Sequence, residues 1–179
     1  MRRELLAGCG SWRAKRMYSG SNAEWSGLVT LDVNEDHNPD VVHDLTVRPL
    51  PFDDDTFDEC HAYEVCEHLG QQGDYKSFFA EWSEWWRILK PGGSFFGMSP
   101  HWSSPWCWMD PGHTRAYGPE LLTFLNQPAY TAQVGKTPMS DYRFVYKADF
   151  DIDHSQVEKG GAFTYVLRAV KPSRITRKD

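Results

Sequence analysis

Apolar residues along the chain fall into short runs broken by turn-forming stretches. Residues 4–7 and 27–33 read as strands, because apolar and β-branched residues follow one another there without helical spacing. Residues 41–45, 57–63 and 94–98 read the same way. One longer segment, 74–89, has a different period: Phe78, Phe79, Trp82, Trp85, Trp86 and Leu89 recur at three- and four-residue spacing, which predicts a helix with one broad buried face. Asp74 can cap its start, and Pro91-Gly92-Gly93 should stop it. Residues 12–18 suit a short helix, 100–118 a long irregular loop, and 119–125 a short helix with Pro119 in its permitted first turn. Residues 142–153 and 162–170 suit a closing antiparallel pair.

Strands that alternate with crossovers imply a mainly parallel sheet in an α/β protein. The gap from Asp32 to Val41 contains Asn34, Asn38 and Pro39 and is too short for a full crossover helix, so the architecture is expected in trimmed form. Neither an internal repeat nor a linker is visible, so residues 1–179 are expected to form one domain, with the basic stretch 171–179 as a solvated tail.

A net charge of −6 argues against a protein that holds nucleic acid by bulk electrostatics, though it leaves a local basic groove open. The 4 cysteines, Cys9, Cys60, Cys66 and Cys107, form no Cys-x-x-Cys pair, so a zinc knuckle has no support. No signal peptide and no run long enough to span a bilayer is visible, which makes a cytoplasmic location with reduced thiols the expectation. The 8 tryptophans concentrate in two clusters, Trp82/Trp85/Trp86 and Trp102/Trp106/Trp108. Such clusters serve as core, interface or ligand platform, and the count does not decide.

In open α/β sheets, ligands bind outside the carboxyl ends of the strands. Gly8-Cys9-Gly10 follows the first strand, Asp32 and Val33 end the second, and Asp44-Leu45 end the third. Glycines let backbone approach a ligand, and an acid in the place of Asp32 accepts ribose hydroxyls in dinucleotide-binding sheets. A nicotinamide fingerprint fails, because its third glycine would fall on Arg13.

The ordered set Gly8-Cys9-Gly10, Asp32, His43-Asp44-Leu45, Leu50-Pro51-Phe52, Phe57-Asp58, Glu64-Val65-Cys66-Glu67-His68 and Arg87-Ile88-Leu89-Lys90-Pro91-Gly92-Gly93 resembles the class I S-adenosylmethionine-dependent methyltransferases. The likeness is to the broad group that includes ubiquinone-biosynthesis and small-RNA O-methyltransferases. It runs from about Leu5 to Leu125. It implies a Rossmann-like, mainly parallel seven-stranded sheet in the order 3-2-1-4-5-7-6. It also implies that Gly8, Cys9 and Gly10 flank the methionine part of the cofactor, Asp32 with Val33 holds the ribose, Asp44 and Leu45 meet the adenine, and Tyr63 lines the sulfonium side. Two positions depart from the family pattern: Trp12 stands for a further glycine, and Leu6 for an acid before the loop.

The resemblance also implies a metal. If a helical turn starts at Glu64, then Glu64, Glu67 and His68 share one face, and a later histidine, here His113 in Asp110-Pro111-Gly112-His113, completes a divalent set for Mg²⁺, Mn²⁺, Fe²⁺ or Zn²⁺. The competing reading packs His68 locally. His101 and His113 are the candidate catalytic residues. Amino-directed DNA methyltransferases carry Asp/Asn-Pro-Pro-Tyr/Phe where this chain has Ala62-Tyr63-Glu64-Val65, and Pro105-Trp106-Cys107 is not the Pro-Cys nucleophile of cytosine-ring enzymes. The expected function is methyl transfer, to oxygen in the first instance, on a small-molecule, saccharide or nucleotide acceptor. A nucleic-acid 2′-O-methyltransferase and a non-catalytic S-adenosylmethionine-binding module are the alternatives. The expected partner is a small-molecule substrate, with nucleic acid left open and no membrane.

Overall fold

A computed structural model describes residues 2–17 and 23–175. Seven strands form one sheet in the order β3-β2-β1-β4-β5-β7-β6. They are β1 (Glu4–Ala7), β2 (Leu28–Asp32), β3 (Val41–Val42), β4 (Phe57–Tyr63), β5 (Leu89–Pro100), β6 (Phe150–Val157) and β7 (Ala162–Ala169). β1 to β5 pair in parallel, and β7 runs antiparallel to both β5 and β6. The strand order implied by the sequence is the observed one. The second and third strands are shorter than expected, β5 is longer, and the sixth starts at Phe150 because residues 142–149 form turns and loops.

The helix α1 (Tyr75–Ile88) is capped by Asp74, whose side chain accepts from the Ser77 amide at 3.0 Å. Its apolar stripe buries Phe78, Phe79, Trp82, Trp85 and Ile88 against Leu5, Phe57, Phe95 and Tyr165 of the sheet. Three short helices follow: α2 (Trp106–Met109), α3 (Pro119–Leu122) and α4 (Gln127–Gln133). The sequence pattern anticipated α3. It missed α2, inside the expected loop, and α4, which Asn126 caps by accepting from the Ala129 amide at 2.8 Å.

Strand residues alternate between two faces, and the faces differ. One carries the apolar core. The other presents Glu4, Glu59, His61 and Tyr63 beside Leu6 and Phe96, all buried. No helix forms in the described part of 12–18, which corrects that expectation; Tyr18 lies outside the described residues. An irregular segment covers this face instead. Lys15 Nζ sits 3.1 Å from Glu4 Oε2 and 2.9 Å from Glu59 Oε2, and the Trp25 ring meets His61 edge-on at 4.9 Å. Buried carboxylates need such partners, since removing an ion from water without one is expensive.

The expected solvated tail is docked in its described part. Lys171 Nζ donates to the Leu89 carbonyl at 2.6 Å, and Arg174 Nε lies 2.7 Å from Asp149 Oδ2. Arg177 and Lys178 lie outside the described residues. Among the described residues, no helix is long and apolar enough to cross a membrane.

Candidate functional site

At the carboxyl ends of β1, β2 and β4 a cavity of about 310 Å³ opens. Gly8, Gly10, Asp32, Val33, Asp44 and Leu45, all singled out from the sequence, line it. Gly8 and Gly10 both adopt left-handed conformations, with φ of 60° and 52°. A Cβ at Gly8 would strike Val65, whereas one at Gly10 would meet no protein atom within 4 Å and would point into open space. Gly10 is therefore a place where a ligand can approach bare backbone.

Asp32 is held by the turns around it. Its Oδ2 accepts from the Gly10 amide at 2.8 Å and its Oδ1 from the Asn34 amide at 2.9 Å. Burial pulls this carboxyl's pKa upward. The amides of Asn34 and Gly10, with His37, outweigh that pull and leave it below its ordinary value. Asp44 Oδ1 accepts from the Thr46 amide and hydroxyl, both at 2.8 Å, so one carboxylate oxygen is committed to its own turn. His37 and His43 also line the cavity and were not singled out. His37 closes a 3-10 turn, Glu35–His37, that stands where a crossover helix was doubtful.

Two expectations for this cavity fail on side-chain direction. Cys9 and Tyr63 do not line it. They pack with Leu6 and Phe96 on the opposite face of the sheet. The Tyr63 hydroxyl bonds His61 Nδ1 at 2.7 Å and accepts from the Met17 amide at 3.2 Å. Strand alternation sends Ala62 to the core face and Tyr63 to the other, which position at a strand end does not reveal.

A second cavity, about 360 Å³, adjoins the first and shares Glu64 and His68 with it. Trp106, Asp110, His113 and the Gly160-Gly161 turn complete its walls. At its edge, ligand atoms of Glu67, His68 and His113 lie within 4.8 Å of one another. The two imidazole rings are 4.6 Å apart, centre to centre. His68 Nδ1 bonds the Gly112 carbonyl at 3.1 Å and His113 Nδ1 the Trp106 carbonyl at 2.9 Å. Each of these bonds requires a proton on Nδ1 and leaves the Nε2 lone pair free. His113 Nε2 lies 3.9 Å from Glu67 Oε1 and 4.0 Å from Asp110 Oδ2. Ser99 donates to Glu67 Oε2 at 2.8 Å, but Oε1 is buried without a hydrogen-bond partner. Burial raises the Glu67 carboxyl to about 8; Ser99 opposes the shift and the adjacent Glu64 carboxyl adds to it.

Glu64 departs from its expected place. It opens no helical turn. It takes a left-handed φ of 59°, and the 3-10 turn Cys66–His68 comes after it. Its carboxylate is outside the Glu67, His68, His113 cluster. Asp110, quoted in the motif but not chosen as a ligand, places its Oδ2 4.0 Å from His113 Nε2. His101 lines neither cavity. Its Nδ1 bonds the Ser103 hydroxyl at 2.7 Å, and its ring packs against Trp102.

The Trp clusters part company. Trp82 and Trp85 are fully buried in the core, while Trp106 is 70% exposed at the rim of the second cavity. Arg115, the cation of the 100–118 loop, turns inward, and its guanidinium donates to the carbonyls of Leu69, Gln71 and Asp74.

Residues 7–97, about half of the chain, match the family model described as a methyltransferase domain. No curated protein matches the chain in sequence. Solved structures with a similar fold include a methyltransferase from Haloferax volcanii in complex with a methyltransferase activator, at 15% identity and TM-score 0.58, covering 94% of this chain and 83% of that one. A second is an S-adenosylmethionine-dependent methyltransferase from Archaeoglobus fulgidus, at 17% identity and TM-score 0.57, covering 93% and 86%. A third comes from Mesorhizobium loti, also S-adenosylmethionine-dependent, at 16% identity and TM-score 0.55, covering 93% and 90%. The sheet order, the glycine turn facing Asp32 and the matched segment agree: the chain belongs to the methyltransferase-domain family and is a class I S-adenosylmethionine-dependent methyltransferase.

Proposed function

We propose that the protein transfers the methyl group of S-adenosylmethionine to an oxygen of a small hydroxylated acceptor, beside a divalent cation held by Glu67, His68 and His113. The carrying observation is the bare Glu67 Oε1. It is buried, lacks a hydrogen-bond partner, and faces the free Nε2 of His113. A buried carboxylate oxygen left unpaired is costly, so a missing positive partner is the simplest physical account. Two imidazoles with their Nδ1 atoms tied to carbonyls and one carboxylate make a suitable mixed donor set, with Asp110 within reach. When bound, the cation would orient the acceptor oxygen and lower its pKa.

The donor would lie in the first cavity, with Asp32 toward its ribose and Asp44 and Leu45 toward its adenine. Gly10 suits this role because no side chain fills the space above it. The acceptor would occupy the second cavity. In the transfer, a C–O bond forms as the C–S bond breaks, and sulfur keeps the electron pair. Glu64 lines both cavities, so its carboxylate would serve as the base that receives the hydroxyl proton.

The inward-turned Arg115 favours a small, uncharged acceptor over a phosphate-bearing one. Chelation tests the proposal. Excess EDTA should abolish methyl transfer while leaving S-adenosylhomocysteine affinity nearly intact, and His113→Ala should do the same. Full turnover in EDTA would refute the cation. Cofactor binding without any methyl transfer, with or without a divalent cation, would favour the non-catalytic module.

A further inference from the structure

Among the described residues, no crossover helix forms between β1 and β2 or between β2 and β3, and the turns found there are joined by side chains. Arg13 Nη2 donates to the carbonyls of His37 at 2.8 Å and Asn38 at 2.5 Å. The segment that follows the Gly8–Gly10 turn is thereby tied to the Glu35–His37 turn. The Arg13 guanidinium also faces the Cys9 thiol and draws its pKa down against the stronger upward pull of burial. Trp25 Nε1 donates to the Arg13 carbonyl at 2.6 Å and holds the segment from its other side.

His37 connects this strap to the ligand carboxylate. Its Nδ1 is buried and lies 3.3 Å from Asp32 Oδ1, within ion-pair distance but outside hydrogen-bond alignment, and no other acceptor meets it among the described residues. Its Nε2 lies 3.4 Å from Asn34 Nδ2, which can only donate, so the ring proton belongs on Nδ1, toward Asp32. The Asn34 amide also donates to Oδ1, whereas Oδ2 receives only the Gly10 amide among the described residues. Oδ1 thus has the Asn34 amide and the His37 ring beside it, while Oδ2, with a single donor, keeps acceptor capacity on a carboxylate that lines the cavity.

We propose that Arg13 and His37 are cofactor-positioning residues that orient Asp32 toward the ribose: Arg13 fixes the two turns against each other, and His37 fixes the carboxylate plane. The inference rests on the reading of Asp32 as the ribose acceptor.

The test is calorimetric titration of S-adenosylhomocysteine and its 2′-deoxy analogue into wild type, Arg13→Ala, Arg13→Lys, His37→Ala and His37→Asn. The wild type should prefer the ribose form. Both alanine variants should bind S-adenosylhomocysteine about tenfold more weakly, as the loss of one oriented hydrogen bond to a charged group implies, and should change little toward the analogue. His37→Asn should recover the preference, because its amide can donate from the place of Nδ1, and Arg13→Lys should recover part of it. Equal weakening toward both ligands would indicate a structural role and overturn the proposal, as would unchanged affinity. A wild type without ribose preference would instead overturn the assignment of Asp32, and this inference with it.

Discussion

The amide of Gly10 donates to Asp32 Oδ2 at 2.8 Å, which locks the turn after the first strand onto the acid after the second. The two residues that the resemblance assigns to the methionine and ribose parts of the cofactor are here one hydrogen-bonded unit. Displacing either should disturb both.

Asp32→Ala is expected to weaken S-adenosylmethionine binding by ~2 kcal/mol, on the order of thirtyfold, since the ribose would lose charge-assisted bonds. Calorimetry of the variant checks it. Unchanged affinity would show that the second strand does not carry the ribose contact.

Gly112→Ala should damage the proposed cation site without touching the cofactor. An added Cβ would lie 2.9 Å from His68 Nδ1 and 3.2 Å from Asp110 Oδ1, so the imidazole must move. Loss of a supporting contact of this kind costs roughly 10–100-fold in metal affinity. Competition with a fluorescent chelator would measure it. Wild-type Mn²⁺ or Zn²⁺ affinity in the variant would detach His68 from the cation.

Glu81 sets a pH dependence of stability. It is completely buried in α1, and burial raises its carboxyl from an ordinary 4.5 to about 7 against the opposing pull of Arg115 and Arg48. The folded state therefore holds a proton that the unfolded state has released. This stabilising contribution is complete below pH 4.5, declines as pH rises, and is gone above about 7. Denaturant titrations of Glu81→Gln should show a flatter profile across that window. An identical slope in wild type and variant would assign the dependence elsewhere.

The two tryptophan clusters should answer differently to truncation. Trp82→Ala removes a fully buried ring that packs on Phe95 and Phe150, and should cost about 3–5 kcal/mol. Trp106→Ala, at an exposed position, should stay within about 0.5 kcal/mol of wild type in stability but lose turnover. Comparable destabilisation in both would mean that Trp106 pins its loop rather than serving the second cavity.

Local pattern alone was enough for β1, β4 and α1, because alternation and helical period are properties of neighbouring residues. Of the expected stripe, Phe78, Phe79, Trp82 and Trp85 are buried in α1, Trp86 is half-buried, and Leu89 is buried as the first residue of β5. The same holds for the glycine turn and Asp32, which sit at strand ends that can be located one strand at a time. His68 and His113 were also paired in advance, but through the resemblance. Nothing in their separation along the chain brings them together.

What only the tertiary structure decided concerns direction and partnership. Tyr63 and Cys9 stand at the right level of the sheet and point to its other face, where they pack with Leu6 and Phe96. Glu64 left the helical turn for a left-handed conformation, fixed by its amide bond to the Met98 carbonyl at 2.7 Å on the next strand. Arg13, inside the expected helix 12–18, and His37, in the short gap after the second strand, carry no signal of a shared role until the two turns are seen side by side. The physical reason is the same throughout: a periodic pattern reports how a residue relates to its near neighbours, whereas burying Glu4, Glu59 and Glu67 depends on charges and donors supplied from distant segments, which meet them only once the sheet has formed.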